Sequence, residues 1–300
     1  MRIEIQDLSK RFGAAQALRD VSFQVPAGRR VALIGPNGSG KSTLNRILMG
    51  LLDYEGDVRL DGRSPREERM ETARAMAYVP QIAPRLAAPV GELLAAVGRV
   101  RGIERSAFAR LAADLGLDLA AVERRPFSGL SGGMRQKLLI ALALASRASL
   151  LILDEPTGSL DAASRECFFA RLGEAAEEAT VLLCSHRLDE LRHQVEHVLV
   201  LEEGRLRYDG PADAFLAATA RTRVEVRVVN GEAGHWLESR GFRPGAGGWW
   251  SRTVDLEQKR ALVGELGSLG SGLADLVVRD LESVEDERPS GGAGPDGEGR

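Results

Sequence analysis

Apolar positions in the first two thirds of the chain form short buried runs separated by longer helical stripes. Three runs lack alternation, which is typical of strands buried on both faces of a parallel sheet: residues 31–34, 150–153 and 181–183. Behind the first run, apolar residues recur with the i, i+3, i+4, i+7 spacing of an amphipathic helix, at Leu44, Ile47, Leu48 and Leu51. This pattern predicts an α/β domain with a mostly parallel sheet over residues 1–217.

The pattern changes twice beyond these strands. Residues 82–129 have helical periodicity and predict a helical subdomain inserted into the sheet domain. Residues 221–281 predict a small α+β domain with strands and helices in the order β-α-β-α-β, at 224–229, 234–240, 249–254, 256–266 and 276–279. Residues 282–300 are acidic and rich in glycine and proline, which predicts a disordered tail.

Composition excludes several classes of protein. The net charge is −3 and no basic stripe is present, so we expect no nucleic-acid partner. Two cysteines, Cys167 and Cys184, are too few for a disulfide framework and fit a reducing compartment. The longest apolar run, 138–145, is far shorter than the roughly 18 residues that indicate a membrane span. The first residues lack the apolar region of a secretory signal, so we expect a chain that does not itself cross a bilayer.

A glycine-rich stretch follows the first predicted strand and begins the predicted helix. It has the P-loop pattern Gly-x4-Gly-Lys-Ser, in Gly35, Pro36, Asn37, Gly38, Ser39, Gly40, Lys41, Ser42 and Thr43. Glycines let successive backbone N–H groups point at phosphate oxygens, and the helix N-terminus adds its positive dipole end. We expect Lys41 to bind the β- and γ-phosphates of ATP and the Ser42 hydroxyl to bind Mg²⁺.

Two adjacent carboxylates, Asp154 and Glu155, end the predicted strand at 150–153. Charges delivered by a buried strand are costly unless a cation or a ligand receives them, although such a pair can also cap the next helix. Strand alternation points the two side chains in different directions. With the P-loop upstream, we expect Asp154 to hold Mg²⁺ and Glu155 to deprotonate the attacking water.

Further motifs accompany these two, in the stretch Leu-Ser-Gly-Gly-Met-Arg-Gln at 130–136, at Gln81, at Ser-Leu-Asp in 159–161, and at His186. Their order and spacing resemble the nucleotide-binding domain of ABC transporters over about residues 1–216. Met134 departs from the pattern, because glutamine is frequent there, but the Ser-Gly-Gly core is intact. The resemblance implies a P-loop NTPase fold of ABC type.

The resemblance also implies a role for each motif. Phe12 would stack on adenine, Gln81 would reach Mg²⁺ and the water, and His186 would contact the γ-phosphate. Glu155, His186 and Gln81 would form the catalytic set, with Ser42, Gln81 and Asp154 around the metal. ATP held by an opposite protomer would be bound in trans by Ser131, Gly132 and Gly133, and Asp161 would link the two halves of a homodimer.

The function implied is ATP hydrolysis that energises a separate integral membrane permease, from a cytoplasmic position on the inner face of the cell membrane. Two alternatives stay open: a soluble ABC ATPase acting on ribosomes or DNA, and an ATP-binding module without turnover, against which Glu155 argues. For the cargo, residues 184–188 and the appended domain resemble the copper-processing ATPase of nitrous-oxide-reductase maturation, which would add a periplasmic accessory protein. Drug, antibiotic or lipid export is the alternative cargo class.

Overall fold

The computed structural model describes residues 1–185, 187–192, 194–219, 221–229, 231–267 and 272–280. The chain divides into two compact units, of which the first comprises Met1–His186 and Glu190–Ala212. The second comprises Arg187–Asp189 and the chain from Asp213 onward. Each unit contains its own cluster of buried apolar side chains. The predicted disordered tail at 282–300 and the predicted catalytic His186 lie outside the described residues.

The strands of the first unit are β1 (Ile3–Phe12), β2 (Ala15–Val25), β3 (Arg30–Ile34), β4 (Glu55–Leu60), β5 (Met76–Val79), β6 (Leu150–Asp154), β7 (Thr180–Cys184), β8 (His197–Glu202) and β9 (Arg205–Pro211). Its helices are α1 (Lys41–Leu48), α2 (Arg69–Arg74), α3 (Val90–Arg101), α4 (Arg105–Asp114), α5 (Leu119–Val122), α6 (Gly132–Ala145) and α7 (Ala162–Ala175). Helix α8 (Leu188–Leu191) is divided between the units. Across the described ranges, no helix is both long and apolar enough to span a membrane.

The first unit is built on a six-stranded sheet with the order β5-β6-β7-β3-β8-β9. All neighbours are parallel except β8 and β9, so the predicted parallel sheet is confirmed. Strands β6 and β7 are buried throughout, as their unbroken apolar runs predict. Because β3 and β6 run in the same direction, the P-loop and the Asp154–Glu155 pair leave the sheet at the same carboxyl edge.

A second sheet in this unit, with the antiparallel order β2-β1-β4, was not predicted. Buried and exposed side chains alternate along short stretches of these strands, as at Ile3 and Ile5. The register between β1 and β2, however, shifts three times along the pair. Asp7 and Asp20 adopt positive φ angles of 51° and 49° inside these strands. Such bulges break the two-residue period, which hides a strand from a search for alternation.

Helix α1 ends earlier than its apolar stripe indicates. Leu51 was predicted as the last member of the stripe, but the helix ends at Leu48 and Leu51 is 59% exposed. The Gly50 amide donates to the Ile47 carbonyl and the Leu51 amide donates to the Arg46 carbonyl, while Gly50 has a φ of 68°. This is a Schellman motif, in which glycine terminates the helix one residue before Leu51.

The helical stretch predicted around 82–129 contains α3, α4 and α5. Helix α3 ends at Arg101 and is followed by Gly102, which has a φ of 66°. The Asp118 carboxylate caps α5 by accepting from the Ala120 amide at 2.9 Å. Phe108 on α4 is fully buried. These helices connect β5 to α6 and so separate Gln81 from the stretch at 130–136 along the chain.

The second unit contains α9 (Ala212–Thr219) except for its first residue, and then β10 (Thr222–Val228), α10 (Gly231–Ser239), β11 (Arg243–Pro244), β12 (Trp249–Val254), α11 (Leu256–Leu266) and β13 (Leu273–Asp280). Its sheet has the antiparallel order β11-β12-β10-β13. The predicted α+β character is confirmed, but the predicted β-α-β-α-β order lacks β11, which is only two residues long. The observed order from β10 onward is β-α-β-β-α-β, a split β-α-β arrangement.

Because the two apolar clusters share no residue, we expect the first unit to fold without the second. A chain lacking residues 221–300 should unfold cooperatively, with a midpoint within about 4 °C of that of the full chain's first unit. Far-UV circular dichroism during heating measures this. Tryptophan fluorescence of the full chain is the matched readout of the second unit, since Trp236, Trp249 and Trp250 are the only tryptophans and all lie there. A broad, non-cooperative transition of the shortened chain would contradict the division.

Candidate functional site

The turn between β3 and α1 can be built only with glycine at two positions. A Cβ on Gly35 would lie 2.1 Å from the Leu201 carbonyl oxygen, and one on Gly40 would lie 2.7 Å from the Ala17 carbonyl oxygen. Gly40 has a φ of 111° and is the N-cap of α1. The turn therefore passes close to neighbouring backbone and presents its amides at a helix N-terminus, which favours anions.

Lys41, the first residue of α1, is held against this turn. Its side chain is only 8% exposed. The Nζ atom donates to the Gly35 carbonyl and, at 3.1 Å, to the Pro36 carbonyl. The ammonium thus lies at the turn that would surround phosphate oxygens, as the P-loop pattern predicts.

The predicted groups from separate parts of the chain line one cleft of about 150 Å³. Ala17, Gln81, Asp154 and Glu155 form one part of its wall. The rest comes from the P-loop, in Asn37, Gly38, Ser39, Gly40, Lys41, Ser42 and Thr43. All three predicted metal-binding residues, Ser42, Gln81 and Asp154, are therefore among its lining residues.

Asp154, at the end of β6, is a buried acid. It is 5% exposed, and burial raises the pKa of its carboxyl, with the neighbouring Glu155 acting in the same direction. The Tyr78 hydroxyl donates to Asp154 Oδ2 at 3.4 Å. Burial, together with the Asp154 charge, raises the pKa of Tyr78 to about 12, so the phenol remains a donor at neutral pH. Asp154 is thus placed where a cation in the cleft would favour its ionised form.

Glu155 is held in an unusual backbone conformation. Its φ of 46° is in the left-handed region, which a non-glycine residue adopts only when the surroundings enforce it. Its amide donates to the Cys184 carbonyl at 2.9 Å, beside the end of β7. Gln81 Nε2 donates to Glu155 Oε2 at 3.3 Å. The structure therefore brings Gln81 and Glu155 together beside the P-loop.

The start of α6 lies outside this cleft. The Ser131 hydroxyl caps α6 by accepting from the Met134 amide at 3.3 Å, and Ser131 and Gly132 are exposed. Gly133 is half-buried, and a Cβ there would lie 2.9 Å from the Ser159 carbonyl oxygen. None of these three residues lines the cleft described above.

Asp161 caps α7 and joins it to α6. Its carboxylate accepts from the Ser164 amide at 2.8 Å and pairs with the Lys137 ammonium at 2.9 Å. These hydrogen bonds, that of Ser164 first, hold the pKa of Asp161 well below its ordinary value. Asp161 itself is exposed, at a surface that also presents the start of α6.

Phe12 is at the far end of β1 and is 47% exposed. The Lys10 ammonium lies 5.1 Å from the centre of its ring, a cation–π distance. Phe12 is not among the residues that line the cleft. Its predicted contact with adenine and the role of His186 stay predictions.

Two buried side chains, Gln136 and Glu190, support the segment after Glu155 through contacts that were not predicted from the sequence. The Gln136 amide on α6 donates to the Pro156 carbonyl at 3.1 Å. The Thr157 hydroxyl donates to Glu190 at 2.6 Å, and Arg165 Nε lies 3.4 Å from the same carboxylate. Glu190 lies in a short charged helix, and an acid in such a helix ordinarily indicates a solvated surface. The local sequence therefore gave no sign that Glu190 is buried.

Comparison with known proteins agrees with this geometry. Residues 18–158 match the ABC transporter family. An aliphatic sulfonates import ATP-binding protein of Rhizobium johnstonii is 35% identical over 70% of this chain and 76% of its own length. A lantibiotic transport ATP-binding protein of Streptococcus pyogenes is 32% identical over 69% of this chain and 92% of its own.

A solved structure has the same architecture. The ATP-binding subunit of an ABC transporter superposes with a TM-score of 0.65 at 28% identity, covering 72% of this chain and 92% of that one. The cleft also unites the P-loop with the acidic end of β6. The chain therefore belongs to the ABC transporter family of ATP-binding subunits, which hydrolyse ATP in transport.

Proposed function

We propose that this chain is the motor of a transporter whose pore is a separate integral membrane permease, and that it works on the cytoplasmic face of that membrane. The observation that carries the proposal is the single cleft shared by Lys41, Asp154 and Glu155. A basic group for phosphates, an acid for a metal and an acid for water are the parts that phosphoryl transfer to water requires.

The metal in this proposal is Mg²⁺, bound together with ATP. Ser42, Gln81 and Asp154 offer a hydroxyl, an amide oxygen and a carboxylate, which are the oxygen ligands that Mg²⁺ prefers. The raised pKa of buried Asp154 supports a cation site, because a divalent ion would return the carboxyl to its charged form. When bound, Mg²⁺ neutralises charge on the β- and γ-phosphate oxygens.

Each remaining group has one task in hydrolysis. Lys41 and the P-loop amides hold the phosphates, and Glu155 accepts the proton of the water that attacks the γ-phosphorus. Gln81, hydrogen-bonded to Glu155, keeps that carboxylate facing the cleft. The left-handed backbone at Glu155, with its amide hydrogen-bonded to the Cys184 carbonyl, sets the direction in which this side chain leaves β6.

We propose further that two such subunits enclose ATP between them. Ser131, Gly132 and Gly133 lie at an exposed helix start outside their own cleft, which suits contact with a phosphate held by the partner. The cap and ion pair of Asp161 connect that helix to α7. Phe12, exposed at the end of β1, would stack on the adenine.

We expect the permease, and not this chain, to determine which cargo is transported. The names of the two relatives concern sulfonate import and lantibiotic transport, so these likenesses support the motor for more than one cargo. Copper processing, with its periplasmic accessory protein, stays a prediction that depends on residues 184–188 and the appended unit. Both relatives are named for transport, which favours a permease over ribosomes or DNA as the partner.

Replacing the P-loop ammonium tests nucleotide binding. Lys41→Ala should weaken the binding of a fluorescent ATP analogue about 10- to 100-fold, since it removes charge-assisted hydrogen bonds to phosphate. Equilibrium titration measures the change. Arg110→Ala, which removes an exposed cation on α4, is the matched control and should bind normally. Unchanged affinity in Lys41→Ala would contradict the phosphate site.

Removing the base separates binding from turnover. Glu155→Gln should keep ATP affinity but lower the rate of phosphate release by about 10²- to 10⁴-fold, the contribution typical of a general base. It should also form a dimer in ATP, visible by size-exclusion chromatography with light scattering. Glu166→Gln, at an exposed position of α7, is the control. Normal turnover in Glu155→Gln would remove Glu155 from the mechanism.

A further inference from the structure

The sheet of the second unit has two edges of different character. β11 is two residues long and includes Pro244, which has no amide to donate. Short strands and proline are devices that prevent an edge from pairing with another chain. β13 is eight residues long, contains no proline or lysine, and pairs with β10 alone among the described strands. β13 thus has neither the shortness nor the proline that protects the first edge, although its pairing with β10 has one register shift, near Leu273.

The side chains of β13 alternate between the two faces of the sheet. Leu276 and Val278 lie opposite Val226 and Val224 of β10, on the face that α10 and α11 cover. Leu276 packs against the apolar cluster, whereas Val278 at the edge remains 39% exposed. The edge therefore presents apolar surface beside its backbone.

The open face of the same strand carries charge. Asp275 lies opposite Arg227 of β10, a favourable cross-strand pair. Arg279 lies opposite Arg223, so its neighbour on β10 has the same charge, and Arg223 pairs with Glu225 at 3.1 Å. Like charges directly opposite destabilise a sheet. An acid arriving from outside the unit would offset the Arg279–Arg223 repulsion.

We propose that the edge of β13 binds β13 of a second copy of this chain, antiparallel, about a two-fold axis at Val277. In this register Asp275 lies opposite Arg279 of the partner subunit, and Arg279 opposite the partner's Asp275. On the other face, Leu276 lies opposite Val278 of the partner subunit. The two four-stranded sheets become one sheet of eight strands.

The charges select this register from its neighbours. An axis at Leu276 would place Asp275 opposite the partner's Val277, and an axis at Val278 would place Arg279 opposite the partner's Val277. Both alternatives leave a charge facing an apolar side chain. Only the Val277 register pairs both charges and both apolar residues.

This association uses no residue of the nucleotide cleft. It is expected without ATP, whereas the dimer proposed for hydrolysis requires ATP. The two proposals therefore fail separately: a nucleotide-free dimer can exist without ATP-driven closure, and closure can occur without pairing of β13.

The test is sedimentation of the full chain freed of nucleotide. The unaltered chain should form a reversible dimer. Asp275→Arg places arginine opposite arginine and Arg279→Asp places aspartate opposite aspartate, so each alone should raise the dimer dissociation constant at least tenfold. The double variant Asp275→Arg, Arg279→Asp restores opposite charges and should restore the dimer. Tryptophan fluorescence checks that each variant folds, and Glu238→Arg, at an exposed position of α10, is the control.

Three results would overturn the proposal. One is a chain that stays monomeric without nucleotide at every concentration reached. Another is a double variant that dissociates as readily as the single ones. The third is a monomer that dimerises only after residues 281–300 are deleted, because the occupant of the edge would then be the chain's own terminus. An unchanged dimer after this deletion supports pairing between copies.

Discussion

The central constraint is the burial of Asp154, which is 5% exposed and is stable in its charged form only beside a compensating cation. β6 brings the acid to the carboxyl edge of the parallel sheet, where β3 delivers the P-loop and Lys41. Burial and the neighbouring Glu155 raise the pKa of Asp154, and the Tyr78 hydrogen bond and the Lys41 charge offset that rise only in part. A divalent ion with ATP would decide the balance in favour of the charged form.

The strain at Glu155 follows from the same position. The chain leaves β6 in a left-handed conformation, fixed by the hydrogen bond from the Glu155 amide to the Cys184 carbonyl. Beyond it, Gln136 holds the Pro156 carbonyl and Glu190 accepts from Thr157. These buried contacts support the turn after β6. Tertiary contacts, and not a helix or strand that contains Glu155, therefore fix the direction of its carboxylate.

Sequence reasoning succeeded where the signal was local. The P-loop and the acidic end of β6 are contiguous stretches, and their meeting follows from the parallel order of β3, β7 and β6. It failed where tertiary contacts or irregular backbone decide the outcome. Bulges in β1 and β2 hid the antiparallel sheet, Gly50 ended α1 before Leu51, and β11 is too short to have a pattern. The burial of Glu190 depends on Thr157 and Arg165, which are distant in sequence.

The central proposal is that the P-loop and the segment after β6 form one site for ATP and Mg²⁺. Hydrogen–deuterium exchange of the full chain, with ATP and with or without Mg²⁺, tests it most directly. The account predicts that ATP with Mg²⁺ protects residues 35–43 and residues 155–161 together, and that omitting Mg²⁺ weakens protection of the second segment. Protection confined to residues 35–43, the same with and without Mg²⁺, would contradict the claim.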